Sequence, residues 1–496
     1  MTAQRATLAA AAAALFVAGG LPLLAMLAAS VATPEGFGLH AYAPLVASAE
    51  PWLLFARSLA LGAVATGCAL GLGVPAGLLF ERTDLPGRDA ATLLLAVPFV
   101  LPSYVSAVGW ARLLGSDSLS GSLAGSGLVL GVCLAPLILL ATRASLRAVD
   151  PRLEEAARLA AGWSGALRGV TLPLALPGIV RGAVLAFLLA VGDLAVPTTF
   201  GVHVFPTESF TQFAAGHRVS SATALAAPLL LLALLLLLAE WRALPGRVAS
   251  LRRTVSDARR TRASLGRARR PLALLVGALA AAVVALPLGA LARDALAPGA
   301  LAEAWQRAGD AALRSLAWAA IGACLLTLVG GLLGYAAERR ALPLVRGADG
   351  LALLLFATPP TVLAIGLVAL WNRGATAWLY ATPAVVVLGT LGQLAAVPSR
   401  LTASAIAAIP VRLEEAAALA GARWSRRMLG IVVPLAAPGL AAAWLASFLF
   451  CLRDLGIAMI VYPPGADTLP VRTFTLMANG PPPLVVLGAS LRRMAE

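Results

Sequence analysis

Three histidines, four cysteines and twenty-three carboxylates are what this 496-residue chain offers to chemistry. Cys68, Cys133, Cys324 and Cys451 lie in apolar runs without C-x-x-C spacing, which marks them as small buried hydrophobes and not as a disulfide or metal set. His40, His203 and His217 are scattered. His203 and His217 share one expected outer loop, 201–220, but lack metal-ligand spacing. No histidine or carboxylate cluster supports a membrane-embedded enzyme, so neither catalysis nor a cofactor of its own is expected. All 38 basic residues are arginine. A conventional phosphate loop needs a lysine on the terminal phosphates, so this chain holds no such ATPase.

What does recur is a charged, alanine-rich segment. The chain reads EEAARLAAGWSGALRGVTLPLALPG from 154 and EEAAALAGARWSRRMLGIVVPLAAPG from 414. In the second copy Leu413, Ala417, Ala420 and Trp424 are spaced as one apolar helical stripe, with Glu414, Glu415, Arg423 and Arg426 off it. The first copy opens on Asp150-Pro151, a capping residue followed by a proline suited to the first turn. Leu153, Ala157 and Ala160 then repeat the stripe. An amphipathic helix lying on lipid headgroups would share this pattern. A stripe made mostly of alanine contributes little lipid burial, however, and admits close approach by another protein surface.

The elements carrying these segments are set by composition. The chain is 60% hydrophobic and 12% charged, with mean hydropathy +0.88, against roughly 25% charged for a soluble domain. Apolar runs long enough to cross a bilayer core fall near 8–32, 57–80, 91–114, 123–142, 176–199 and 221–241. They continue near 271–291, 315–337, 350–371, 382–398 and 437–462, and a twelfth run at 484–490 is too short to cross. The first is expected to be an uncleaved span, because it is long for the apolar core of a secretory signal. The short ending after 484 leaves open a final helix that dips in or one that is truncated. Residues 242–270 carry ten arginines and one acid and do not enter lipid. With the N-terminus inside, the inward segments hold 28 of the 38 arginines, so both EEAA segments and the linker are expected to be cytoplasmic. The net charge of +15 follows from this membrane asymmetry and implies no nucleic-acid partner.

The two halves repeat. Arg57-Ser58-Leu59-Ala60 matches Arg314-Ser315-Leu316-Ala317, and Glu81-Arg82 matches Glu338-Arg339, both 257 positions on. Val97-Pro98 and Trp110 match Thr358-Pro359 and Trp371 at 261. PLALPG at 173–178 matches PLAAPG at 434–439, and Asp193-Leu194 matches Asp454-Leu455. The expected architecture is therefore an all-α polytopic membrane protein of 11–12 spans, built from two tandem parallel-related repeats of about six helices. The first half is 1–241 with its charged loop at 150–173, the linker is 242–270, and the second half is 271–496 with its loop at 410–434. Asp193 and Asp454 lie 16 residues after Pro177 and Pro438, about 24 Å into a core of about 30 Å. An acid there suits a pathway or gate lining; an interfacial or structural pair is the alternative. Pro98 and Pro359 are expected to bend the third span of each half, freeing carbonyls toward the pathway.

The paired segments resemble the EAA loop of ABC importer permeases, whose pattern is E-A-A, three residues, G, nine residues, I, one residue, L-P. The second copy matches at Glu415, Ala416, Ala417, Gly421, Ile431 and Pro434, with Val433 in the leucine slot. The first matches at Glu155, Ala156 and Ala157. Ala161 then fills the glycine slot with Gly162 following, and Leu172-Pro173 arrives one residue early. The resemblance implies the type I ABC importer permease fold in a cell inner membrane. In that family each loop is a helix seated on one subunit of a separate ATP-binding dimer, which binds the ATP and magnesium. An extracytoplasmic solute-binding protein delivers the substrate. The fused layout, the ERT and ERR after the second spans, and TLMANGP from 475 most resemble ferric-iron permeases, with thiamine permeases close behind. A secondary transporter of the major facilitator type is the rival, but FERTDLPGR at 80–88 imitates its loop pattern poorly, and such a carrier needs no paired EAA loops.

Overall fold

A computed structural model describes residues 3–33, 36–114, 121–216, 219–243, 262–296, 298–339 and 344–479. His217, most of the arginine-rich linker, the end of the TLMANGP stretch and the short run at 484–490 lie outside the described residues. The regular structure of the described residues is helical apart from a pair of two-residue strands, Ala32–Thr33 and Gly36–Phe37, and an isolated bridge between Thr83 and Ala263. Among the described residues eight helices are long and apolar enough to cross a membrane: Ala3–Val31, Glu50–Arg82, Leu123–Ala148, Pro151–Val191, Ala222–Glu240, Gly266–Arg293, Ala300–Glu338 and Trp424–Arg453. In lipid a helix satisfies its own backbone donors and acceptors, which is why uninterrupted apolar runs take this form. The protein is a multi-pass helical membrane protein.

Three expected spans are instead bent pairs. Arg88–Val100 meets Ser103–Leu114 at 99°, Gly347–Ala357 meets Pro360–Trp371 at 111°, and Ala384–Leu394 meets Ala396–Ala407 at 52°. The first bend corrects the expectation for Pro98. That proline sits inside its helix, buried, and the break falls at Leu101-Pro102. Proline disfavours helical geometry in the residue before it, and Leu101 is extended (ψ 143°). The structural counterpart of Pro359 is therefore Pro102, 257 positions earlier, and the match of Pro98 to Pro359 at 261 was a slip of one helical turn. Pro359 does stand at its break, immediately before Pro360–Trp371.

The chain forms two compact units. One contains Met1–Pro51, Glu208–Leu230 and Pro298–Glu496; the other contains Trp52–Thr207 and Leu231–Ala297. These are not the sequence halves: each unit joins the body of one half to the opening helix of the other. Paired glycines permit that packing. A Cβ at Gly109 would lie 2.7 Å from the carbonyl oxygen of Pro287, and one at Gly366 would lie 2.5 Å from that of Pro22. Gly109 and Gly366 are again 257 positions apart. Leu8 of the opening helix is buried beside Tyr335, Ile406 and Ala436 in the first unit. In the second, Leu272, Ala273 and Val276 pack against buried Phe80 and Leu85.

Candidate functional site

The first EEAA segment begins a helix at Pro151, capped by the Asp150 side chain, which accepts from the backbone N–H of Arg152. The helix presents the two glutamates in opposite senses. Glu154 turns inward, where Arg82 donates to it at 2.8 Å and the Thr171 hydroxyl at 2.8 Å. Arg82 ends the Glu50–Arg82 helix and also donates to the carbonyl of Leu146, at the end of Leu123–Ala148, at 2.7 Å. One guanidinium thus ties three helices together. Its neighbour Glu81 is buried and accepts from Arg143 at 2.6 Å and Arg147 at 2.7 Å.

The second segment repeats the arrangement with one different partner. Glu414 is buried on the helix Val411–Leu419 and accepts from Arg339 at 2.8 Å and from the Tyr335 hydroxyl at 2.8 Å. Arg339 donates in addition to the carbonyl of Ile409 at 3.0 Å. Trp424 packs edge-on to Tyr335, with ring centroids 6.3 Å apart. The helix stops at a glycine cap: Gly421 has φ 81°, the N–H of Ala422 bonds Ala417, and that of Gly421 bonds Ala418. In the first copy the chain turns at Gly162, with φ 68° and ψ −175°. Residues with a Cβ avoid both conformations, the first copy's more strongly.

The expected single apolar stripe is divided by these caps. Ala417 and Trp424 are half-buried, whereas Leu413 and Ala420 are exposed, because the helix ends at Leu419 and cannot carry the period through to Trp424. The outward face holds Glu155, Ala156, Glu415 and Ala416, all exposed; Ala157 is half-buried like Ala417. Beside them stand Leu159, 82% exposed, and Leu419, 91% exposed, each four residues after the outward glutamate. Pro173 and Pro434 open the helices Leu172–Val191 and Val433–Arg453. A five-residue π turn precedes each, Leu167–Thr171 and Met428–Val432, where the proline lacks the N–H that an α turn would use.

The two aspartates are held by hydrogen bonds within the protein. Asp193 accepts from the Ser103 hydroxyl and from the backbone N–H of Val196, both at 2.9 Å. Asp454 accepts from the N–H of Ala458 at 3.0 Å. Each carboxylate thereby caps a short following helix, Ala195–Thr199 or Ala458–Val461. Ser103, which opens the helix after the Pro102 break, links the first aspartate to that bend.

The sequence alone assigns no role to Arg82, Arg339, Glu154 and Glu414. Their signal was present in the doubled acid of each segment and in the repeated Glu-Arg after each second span. Comparison with known proteins follows the same lines. Residues 69–242 match the family described as binding-protein-dependent transport system inner membrane component. A probable molybdenum ABC transporter permease protein of Haloferax volcanii is 35% identical over 146 residues, covering 28% of this chain and 54% of the relative. The molybdenum transport system permease protein of Escherichia coli is 32% identical over 215 residues, covering 39% of this chain and 93% of the relative. A spermidine/putrescine transport system permease protein of Haemophilus influenzae is 29% identical over 186 residues, covering 36% and 67%.

Proposed function

This chain belongs to the family of binding-protein-dependent transport inner-membrane components, and we propose that it forms the complete translocation pathway of an ATP-driven importer. Nearly the whole E. coli relative fits within 39% of this chain, leaving room for a second half fused to the first. The N-terminus and both EEAA helices face the cytoplasm, as the arginine distribution indicates. Each helix seats on one subunit of a separate ATP-binding dimer, and an extracytoplasmic solute-binding protein delivers substrate from the other side. The observation that carries this reading is the matched pair of outward faces, Glu155 with Leu159 and Glu415 with Leu419. A leucine exposed on an aqueous side, twice at one position, fits a protein partner.

The substrate we infer is a small inorganic oxyanion of the molybdate type, since molybdenum is the cargo named for two of the relatives above. Ferric iron, expected from the TLMANGP stretch, is named for none of the relatives above and stands as the second reading. Two experiments test these points. From gently solubilised membranes the wild type retains an ATPase, Glu155→Arg and Glu415→Arg each weaken it, and the double variant loses it. Vesicles reconstituted with all components take up molybdate and not ferric iron; the opposite preference would restore the iron reading.

A further inference from the structure

Resting on the coupling reading above, we propose that Arg82–Glu154 and Arg339–Glu414 are positioning pairs that make the second span of each half the arm moved by its coupling helix. A helix docked on a moving partner does work on the pathway only where it grips the membrane part. Within each unit one guanidinium joins the coupling helix to the end of the Glu50–Arg82 or Ala300–Glu338 helix, alone in the first half and beside the Tyr335 hydroxyl in the second. That guanidinium bonds the coupling helix by its carboxylate and the preceding helix end by a carbonyl, Leu146 or Ile409. The side chains are shielded from water, at 10% and 16% exposure in the first pair and 11% and 8% in the second. Shielding removes solvent screening, and the fork of two donors resists shear better than a single point charge. The arms are long: Ala300–Glu338 has 39 residues, about 58 Å at 1.5 Å per residue, enough to carry displacement across the whole bilayer.

The two grips differ in what reinforces them. In the second half the Tyr335 hydroxyl, on the arm itself, holds the other oxygen of Glu414. In the first half the end of the interdomain linker straps the turn that bears Arg82. Ala263 donates to the carbonyl of Arg82 at 2.8 Å and accepts from Asp84 at 3.2 Å, while Leu265 donates to the Asp84 side chain at 2.9 Å. Arg269 closes the strap on the Asp84 carbonyl at 3.0 Å. Fusing the halves has thus given the first arm a fastening made by the linker.

The test compares Glu154→Gln/Glu414→Gln with wild type, with Tyr335→Phe, and with the charge exchange Arg82→Glu/Glu154→Arg. Readouts are ATPase retained on the purified permease and molybdate imported per ATP hydrolysed, each on protein that elutes as a single monodisperse peak. The double glutamine variant retains the ATPase but imports about tenfold less per ATP, within the usual range of a coupling energy. Tyr335→Phe shows a smaller loss, and the charge exchange recovers part of it. Unchanged import per ATP in the glutamine variant, or loss of the ATPase from it, overturns the proposal. Absence of ATPase from the wild type would instead refute the coupling reading on which it rests.

Discussion

Arg82 and Glu154 stand 72 residues apart in the chain and meet at 2.8 Å; Arg339 and Glu414 stand 75 apart and meet at the same distance. The repeat has preserved an ion pair between the end of one helix and the face of another, together with the carbonyl that each arginine also bonds. Its geometry divides the two adjacent glutamates of each segment by role: the first holds the helix to its own protein, the second is left to meet another.

Removing one partner of these pairs leaves a shielded charge uncompensated, at about 3–5 kcal/mol. Arg339→Gln is expected to lower the thermal midpoint of the purified protein by several degrees. Arg158→Gln, whose ion pair with exposed Glu155 is 3.6 Å long, is expected to leave it unchanged, as surface pairs contribute little. A scanning-fluorimetry series in one detergent measures both.

The exposed leucines separate docking from folding. Leu159→Asp and Leu419→Asp place charge on surfaces already 82% and 91% exposed, so the isolated permease keeps its melting profile. The same variants lose bound ATPase in pull-down. A fall in melting midpoint comparable to that of Arg339→Gln would show that these residues pack within the permease.

The two glycine caps are unequal. Nothing within 4 Å would meet a Cβ at either Gly162 or Gly421, so substitution is felt only through the backbone. Gly162 occupies a region nearly closed to other residues, costing about 1–3 kcal/mol, while left-handed Gly421 costs roughly 1 kcal/mol. Gly162→Ala is expected to destabilise more than Gly421→Ala in paired denaturation measurements.

Gly109 and Gly366 test the exchange of opening helices. A methyl at either would approach a proline carbonyl oxygen to 2.7 Å or 2.5 Å, closer than packed atoms tolerate. Gly109→Ala and Gly366→Ala are each expected to lower stability by about 1–3 kcal/mol. Gly277→Ala, with open space around it, is neutral or mildly stabilising in the same assay.

Much of this was legible in the sequence. Apolar run length marked the spans, and two charged segments at matching places marked the site, because lipid and helix periodicity act locally. What stayed hidden was tertiary. Pro98 read as the bend because it aligned with Pro359 when one turn was skipped; only the geometry shows Leu101-Pro102 breaking the helix. The inward turn of Glu154 and Glu414 depends on arginines more than seventy residues away, and an apolar-stripe reading favoured the wrong boundary by running through Gly421. The opening helices pack within the unit that contains the other half's body, which no local pattern encodes.

The most direct measurement is cross-linking from the coupling helices themselves. Leu159→Cys and Leu419→Cys, singly and together, are introduced after the four native cysteines are replaced by alanine, and the complex is treated with a short thiol-to-amine reagent. The account predicts one ATPase subunit linked to each single variant and two to the double, with no link from a cysteine placed at exposed Trp378. A permease that co-purifies with its ATPase yet gives no link from either position would contradict it.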